Sequence, residues 1–127
     1  MLIVSNAQLL MEEKDNLIVK ISTELALMII EFTEQLEEKK KFVVAKQLLR
    51  SGTSVGANIR EAQQSESKAD FIHKMKIASK EANETEYWFV LCIESKSYPT
   101  PSSEIKDKLN HTQKTLSKII ASAKSKA

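Results

Sequence analysis

The sequence predicts an all-α fold, an antiparallel four-helix bundle in which the helices run up, down, up and down. Three observations support this prediction. The chain of 127 residues contains only two glycines and two prolines, whereas hairpins and β-sandwiches need many turn residues. Apolar residues recur in steps of three and four along four long segments. The connections between these segments are short, which places neighbouring helices antiparallel.

The first two helices are predicted at residues 16–38 and 42–66, joined by the charged turn "EEKKK". The apolar face of the first contains Ile18, Ile21, Leu25, Met28 and Phe32. The second has the same three-and-four spacing, and both glycines fall on its apolar face, which consists of Ala45, Leu48, Gly52, Val55, Ile59 and Ala62. The glycines are therefore predicted to lie within a helix rather than in a loop.

The third and fourth helices are predicted at residues 68–96 and 102–125. Ser67 is placed to cap the third, with Asp70 three residues later. The stretch "SYPTPSS" at 97–103 separates the two, because its prolines cannot continue a helix. Together the four helices form one domain over residues 16–125. Residues 1–15 are not interpreted as a signal peptide, since they lack its basic start and their apolar runs are interrupted. They are interpreted as an extension that is flexible or docked on a partner.

The composition limits the cellular compartments and the kinds of partner that we expect for this protein. Cys92 is the only cysteine, so an intramolecular disulfide is excluded and a reducing, cytoplasmic location is expected. No apolar run approaches the length of a membrane span, and no membrane partner is expected. The net charge is +2, but residues 1–41, 42–80, 81–97 and 98–127 carry −3, +4, −3 and +4 in turn. This alternation is consistent with charge matching between neighbouring helices or with a basic face for nucleic acid.

Residues 52–56 spell G-x-S-x-G, the pattern of a hydrolase nucleophile elbow around Ser54. That elbow requires a preceding strand and a parallel sheet. Here the helical spacing continues through the motif, and no segment of the sequence is predicted to form a sheet. His111 is a possible general base, but a base alone does not make the elbow. The two glycines are also one residue too close for a phosphate-binding loop. We therefore expect no catalytic residue, and the protein is predicted not to be an enzyme.

A metal centre and a cofactor are not expected either. Asp70 and His73 stand three apart on the third helix, but a di-iron bundle needs two such pairs and two further carboxylates. The chain has only two histidines, and no acidic residue stands three positions before His111.

The glycines need another explanation, because each costs about 1 kcal/mol relative to alanine inside a helix. Four residues apart, Gly52 and Gly56 lie on one face and form a groove that another backbone can approach closely. A polar stripe runs beside the groove and consists of Gln47, Ser51, Ser54, Asn58, Glu61 and Ser65. This helix is therefore expected to contact its own core on one side and, on the other, a second subunit, an internal polar network or a ligand.

Basic side chains of the second and third helices are candidates for phosphate contacts. His73, Lys76 and Lys80 fall within about 60° of one another around the third helix. The alternative is a solvated face on which Glu84 pairs with Lys80. The phosphate-contact candidates are Arg50, Arg60, Lys74, Lys76 and Lys80.

Residues 46–88, "KQLLRSGTSVGANIREAQQSESKADFIHKMKIASKEANETEYW", resemble the signature block of the four-helix-bundle family of 23S ribosomal-RNA intervening-sequence proteins. That family is similar in turn to the accessory protein of diversity-generating retroelements. The resemblance is most specific at Ser54–Ala62, at "SKADFIHKMKIA" and at Glu84 within "EANETE". It implies a four-helix bundle without known catalysis, assembly into a ring with a pentamer as the expected form, and, in the retroelement branch, a basic surface that binds nucleic acid.

Two functional hypotheses follow. The first is a homo-oligomeric accessory protein that binds structured RNA, DNA or an RNA–protein machine through the five basic residues named above. The second is a scaffold that binds no nucleic acid and uses the glycine groove for assembly. In both, the packing or interface residues are Gly52, Ser54, Gly56, Asn58, Glu61 and Glu84.

Overall fold

Four helices make up the computed structural model, which describes residues 16–126 and confirms the all-α prediction. They are α1 (Leu17–Glu38), α2 (Phe42–Ala62), α3 (Lys68–Glu94) and α4 (Ser103–Ser125). Each helix packs on its two neighbours around a square, so α1 and α3 face each other diagonally, as do α2 and α4. The predicted extension at residues 1–15 lies outside the described residues.

The core is built from the apolar faces that the spacing predicts. Leu25, Ile29 and Leu36 of α1 are fully buried, as are Leu48 and Val55 of α2. The aromatic rings of Phe32 and Phe89 meet edge to face across the α1–α3 diagonal, with 6.1 Å between their centroids. Such contacts between diagonal helices fill the centre of the bundle, where apolar burial supplies most of the stability.

Two helices end earlier than their spacing predicts. α2 stops at Ala62 rather than at 66, because the backbone tightens into three-residue turns in which Gln64 N donates to Glu61 O (3.0 Å) and Ser65 N donates to Ala62 O (3.1 Å). The chain must then be extended at Ser67 so that its hydroxyl accepts from Asp70 N, the predicted cap of α3. α3 ends at Glu94 rather than at 96, since Ser95 is already extended.

The turn between α1 and α2 closes the end of α1 with a Schellman motif. Lys41 N donates to Leu36 O and Lys40 N donates to Glu37 O, both at 2.8 Å. Lys40 occupies the left-handed position, with a φ of 61°, where glycine is the usual residue. This sharp reversal sets α2 directly against α1.

Candidate nucleic-acid interface

The glycine face of α2 is covered by α1 of the same chain. Gly52 and Gly56 are both buried. A Cβ atom added to Gly52 would lie 2.8 Å from the side chain of Ile29, and one added to Gly56 would lie 3.6 Å from Ser22. In the bundle, the helix that packs against the two glycines is therefore α1 of the same chain.

Ser51 of the polar stripe joins α2 to α3 in an internal polar seam. The hydroxyl groups of Ser51 and Thr85 are 2.9 Å apart, and both residues are fully buried. Ser54 Oγ donates to Arg50 O (2.6 Å), and Asn58 Nδ2 donates to Ser54 O (2.8 Å). Bonds of this kind satisfy polar side chains within the helix. Ser54 is therefore an ordinary helical residue, whereas Glu61 at the end of the stripe is exposed.

Arg50 joins α2 to α3 through two carboxylates. Its Nη1 donates to Glu81 Oε1 (3.2 Å), and its Nη2 donates to Glu84 Oε2. Trp88 Nε1 donates to the same oxygen of Glu84 at 3.1 Å. The indole, followed by the guanidinium, lowers the pKa of Glu84, although desolvation opposes this. The hydrogen bond to Glu84 is the main reason that the pKa of Arg50 is raised.

This network gives Glu84 and Arg50 partners other than those expected from the sequence. Glu84 pairs with Arg50 rather than with Lys80, and Arg50 directs its charge at carboxylates rather than outward. Two further candidates also have partners: Arg60 Nη2 donates to Thr23 Oγ1 (3.2 Å), and Lys74 pairs with Asp70 (3.5 Å). Three of the five basic candidates, Arg50, Arg60 and Lys74, therefore have partners within the chain.

Lys76 and Lys80 remain together on the outer side of α3, where Lys124 of α4 joins them. We call these three residues the basic surface. Lys124 lies close enough to lower the pKa of Lys76 through unfavourable contact between two ammonium groups, and Lys80 adds a smaller effect of the same sign. Within residues 16–126, none of the three forms an ion pair shorter than 4.0 Å. His73, on the same side of α3, is exposed.

Lys124 is absent from the sequence-based set of candidates, because it lies on a different helix. Only the packing of α4 against α3 brings it to Lys76. The positive charge of residues 98–127 is a partial signal, but it does not say which lysines meet the third helix.

Three other possibilities can be compared with residues 16–126: a metal site, a hydrolase active site and a membrane-spanning helix. Residues 16–126 contain no group of three His, Cys, Asp or Glu side chains able to hold a metal ion. Ser54 and His111, the residues of the hydrolase alternative, lie on the diagonal helices α2 and α4, whose backbones are not neighbours in the bundle. Among the helices described, none is long and apolar enough to cross a membrane.

Comparison with known proteins places this geometry in a family. The family model described as "23S rRNA-intervening sequence protein" matches residues 14–118. A crystal structure from Bacteroides thetaiotaomicron, described as a protein with unknown function from the S23 ribosomal protein family, is 46% identical in sequence, with a TM-score of 0.77. The similarity covers 85% of this chain and 98% of that chain. The comparison with curated proteins found no match. A family match over most of the bundle, joined to a shared four-helix fold, shows that the chain belongs to the 23S rRNA-intervening sequence protein family.

Proposed function

We propose that this protein is a non-catalytic, homo-oligomeric accessory protein that binds structured RNA or DNA through the basic surface. The observation that carries the proposal is that Lys76, Lys80 and Lys124 are exposed on the adjoining helices α3 and α4 and form no ion pair within residues 16–126. Lysines that lie near one another repel, and a phosphate bound among them would reduce that repulsion. Exposed lysines without ion-pair partners can attract a phosphate at no cost in broken ion pairs.

The ion pairs of the other basic candidates favour a smaller contact surface than the one expected from the sequence. Arg50 and Lys74 have carboxylate partners, and a phosphate would have to compete with these. Lys76, Lys80 and Lys124 need no such exchange. The proposed contact surface therefore follows the outer side of α3 and the end of α4, rather than the seam between α2 and α3.

Assembly into a ring is part of the proposal, with the pentamer as the expected form. A ring needs two different patches on each subunit, because its contacts are head to tail. Exposed apolar side chains are available for such patches: Leu27, Ile30 and Leu49 are among those on α1 and α2, and Tyr87 and Leu91 are among those on α3. Joining one set to the other would cover both, and it would repeat the basic surface around the ring.

Salt-dependent binding tests the nucleic-acid contact. The probe is a fluorescent RNA hairpin, with a DNA duplex of equal length for comparison, and affinity is measured by anisotropy between about 50 and 200 mM salt. The triple variant Lys76→Gln/Lys80→Gln/Lys124→Gln should bind more weakly. The slope of its log affinity against log salt should be shallower by about one for each phosphate that the protein no longer neutralises.

The matched control is Lys20→Gln/Lys106→Gln/Lys114→Gln, which removes the same charge from exposed positions elsewhere. Equal reductions of affinity in the two triple variants would contradict a localised site. Undetectable binding of the unaltered protein to both probes would favour the scaffold hypothesis. Light scattering on the same samples gives the subunit number, and a monomer at micromolar concentration would contradict the ring.

A further inference from the structure

One end of the bundle has an apolar cleft that the proposed function does not use. The cleft has a volume of about 510 Å³ and lies between the start of α3 and the end of α4. Its lining includes Phe71 of α3 with Ile119 and Ala123 of α4, and none of the lining residues belongs to α1 or α2. Its volume falls within the range of about 300–1,000 Å³ that is usual for small-molecule sites.

The floor of the cleft continues the hydrophobic core towards solvent. Met75 of α3 and Leu116 of α4 are fully buried. About one turn nearer the end of the bundle, Phe71 and Ile119 are only half-buried, and so is Ala123 one turn beyond Ile119. Covering such a surface with a further apolar group is favourable, and an aromatic ring at its edge can stack on another flat ring.

The rim of the cleft is basic. Lys68, Lys118 and Lys126 line it and are exposed, and none of them forms an ion pair within residues 16–126. Ser122 is the one other polar residue in the described lining. The cleft therefore offers an apolar surface bordered by positive charge, which fits a ligand that joins a flat apolar group to an anionic one.

The rim and the basic surface come together at the end of α4. Lys124 of the basic surface lies in the last turn of α4, and Lys126 of the rim follows directly after that helix. On α3, Phe71 and Lys76 are five residues apart, a rise of about 7.5 Å. A nucleic acid, with one charge at each phosphate, can contact both groups of lysines at once. An acidic peptide held in the cleft alone would leave the basic surface unused.

We infer that the cleft receives the base of an unpaired nucleotide of the bound nucleic acid. The base packs on Phe71 and Ile119, and the phosphates beside it contact the lysines of the rim. Paired bases are stacked inside a duplex and do not reach such a floor, whereas unpaired bases are commonly held on aromatic side chains. The inference rests on the proposed function and deepens it, because it names the feature that distinguishes the ligand from a plain duplex.

Three matched RNA duplexes test the inference. One is fully paired, the second has a single bulged adenosine, and the third has an abasic residue in place of that adenosine. The bulged adenosine should strengthen binding about tenfold over the abasic bulge, which bends the duplex without offering a base. Phe71→Leu keeps an apolar side chain but removes the ring, and it should reduce this preference. Phe42→Leu, at an exposed phenylalanine of α2, is the matched control and should not.

The outcomes separate the inference from the proposed function. Equal affinity for the adenosine and abasic bulges would overturn the inference. The proposed function would nevertheless stand if Lys76→Gln/Lys80→Gln/Lys124→Gln weakened binding to all three duplexes. A preference for the adenosine that survives in Phe71→Leu would place the base elsewhere and would also overturn the inference. Undetectable binding of all three duplexes would contradict the proposed function itself.

Methyl NMR on the full, unaltered chain shows where the base lies without relying on a variant. The methyl resonances of Ile119 and Ala123 should shift on addition of the duplex with the bulged adenosine. The resonance of Ala121, an exposed alanine on the same helix, should not. Unchanged resonances in the cleft would overturn the inference. If an acidic amphipathic peptide shifted them and the RNA did not, the cleft would belong to a protein partner instead.

Discussion

The two sides of α2 pack by different physical means. Towards α1, the helix presents Gly52 and Gly56, and the two backbones come close enough for Ile29 to occupy the space of a missing side chain. Towards α3, it presents Ser51 and Arg50, which bind Thr85, Glu81 and Glu84. The first seam depends on shape and tolerates no added atom near Gly52, whereas the second depends on hydrogen bonds that must all be matched.

The difference shows that one helix can use glycine and polar residues for separate neighbours. Packing against glycine gives van der Waals contact without directional demands, but it fixes the distance between helices. Buried hydroxyl groups fix which residues face each other, since an unmatched one is costly. The polar seam therefore sets the register of α2 on α3, and the glycine seam sets how closely α2 approaches α1.

The largest effect is expected from adding a single methyl group to the glycine seam. In Gly52→Ala, the new Cβ would lie 2.8 Å from two carbons of Ile29, a fully buried and β-branched side chain. Overpacking of this kind costs about 1–3 kcal/mol, and the helix propensity of alanine returns about 1 kcal/mol. We expect the free energy of unfolding to fall by up to about 2 kcal/mol in a denaturant titration.

Gly56→Ala is the matched control, because its Cβ would meet Ser22 at an ordinary 3.6 Å. Here the gain in helix propensity should dominate and raise stability by about 0.5–1 kcal/mol. In an Ile29→Ala background the penalty of Gly52→Ala should disappear. If the two alanine variants shift stability in the same direction, the account of the glycine seam is wrong.

A smaller effect is expected from breaking the buried hydroxyl pair. Thr85→Val keeps the shape of the side chain but leaves Ser51 with only the carbonyl of Leu48, at a long 3.4 Å. Because Ser51 keeps this weaker bond, the loss should lie at the lower end of the penalty for an unmatched buried hydroxyl, about 1 kcal/mol, and the midpoint of chemical unfolding should fall accordingly. Adding Ser51→Ala removes the unmatched group, and the double variant should be more stable than the sum of the single effects predicts. Strict additivity would contradict the pairing.

The smallest effect concerns the charge of Glu84, whose side chain is 37% exposed and therefore screened by solvent. Its pKa is lowered in the folded protein, first by the indole of Trp88 and then by Arg50. The stabilisation is thus complete above the ordinary glutamate pKa, about 4.3, and disappears as the pH falls through the lowered value. Glu84→Gln should remove this dependence and cost less than about 1 kcal/mol at neutral pH.

Trp88→Phe provides the control for the direction of this effect. Without the indole donor, the pKa of Glu84 should rise towards its ordinary value, so the decrease in stability at low pH should be smaller and should be complete at a higher pH than in the unaltered protein. Carboxyl titration by NMR measures the pKa directly. An unchanged pKa in Trp88→Phe would assign the effect to Arg50 alone.

The sequence predicted the fold well because the relevant signals are local. Steps of three and four in Ile18, Leu25, Leu48 and Met75 identify buried helix faces, and these residues are buried in the bundle. The cap at Ser67 could also be predicted, since the hydroxyl and its backbone partner are three residues apart. The end of α2 could not be predicted, because spacing alone does not show where the chain must turn to reach Ser67.

The candidate site was predicted less completely, because its residues come from different helices. The sequence put Arg50, Arg60, Lys74, Lys76 and Lys80 into one set, and the structure divides them by partner. Arg50 turns to Glu81 and Glu84, which are more than thirty positions away in the chain. Lys124 reaches Lys76 from α4. No periodicity within one helix carries information about such pairs.

The sequence by itself determined four amphipathic helices and glycines placed on a helix face, because both follow from residue type and spacing along the chain. Only the tertiary structure decided that Ile29 covers Gly52 and that Glu84 pairs with Arg50. These depend on how far helices slide along and approach one another. That choice is made by side-chain volume and hydrogen-bond matching between segments distant in sequence.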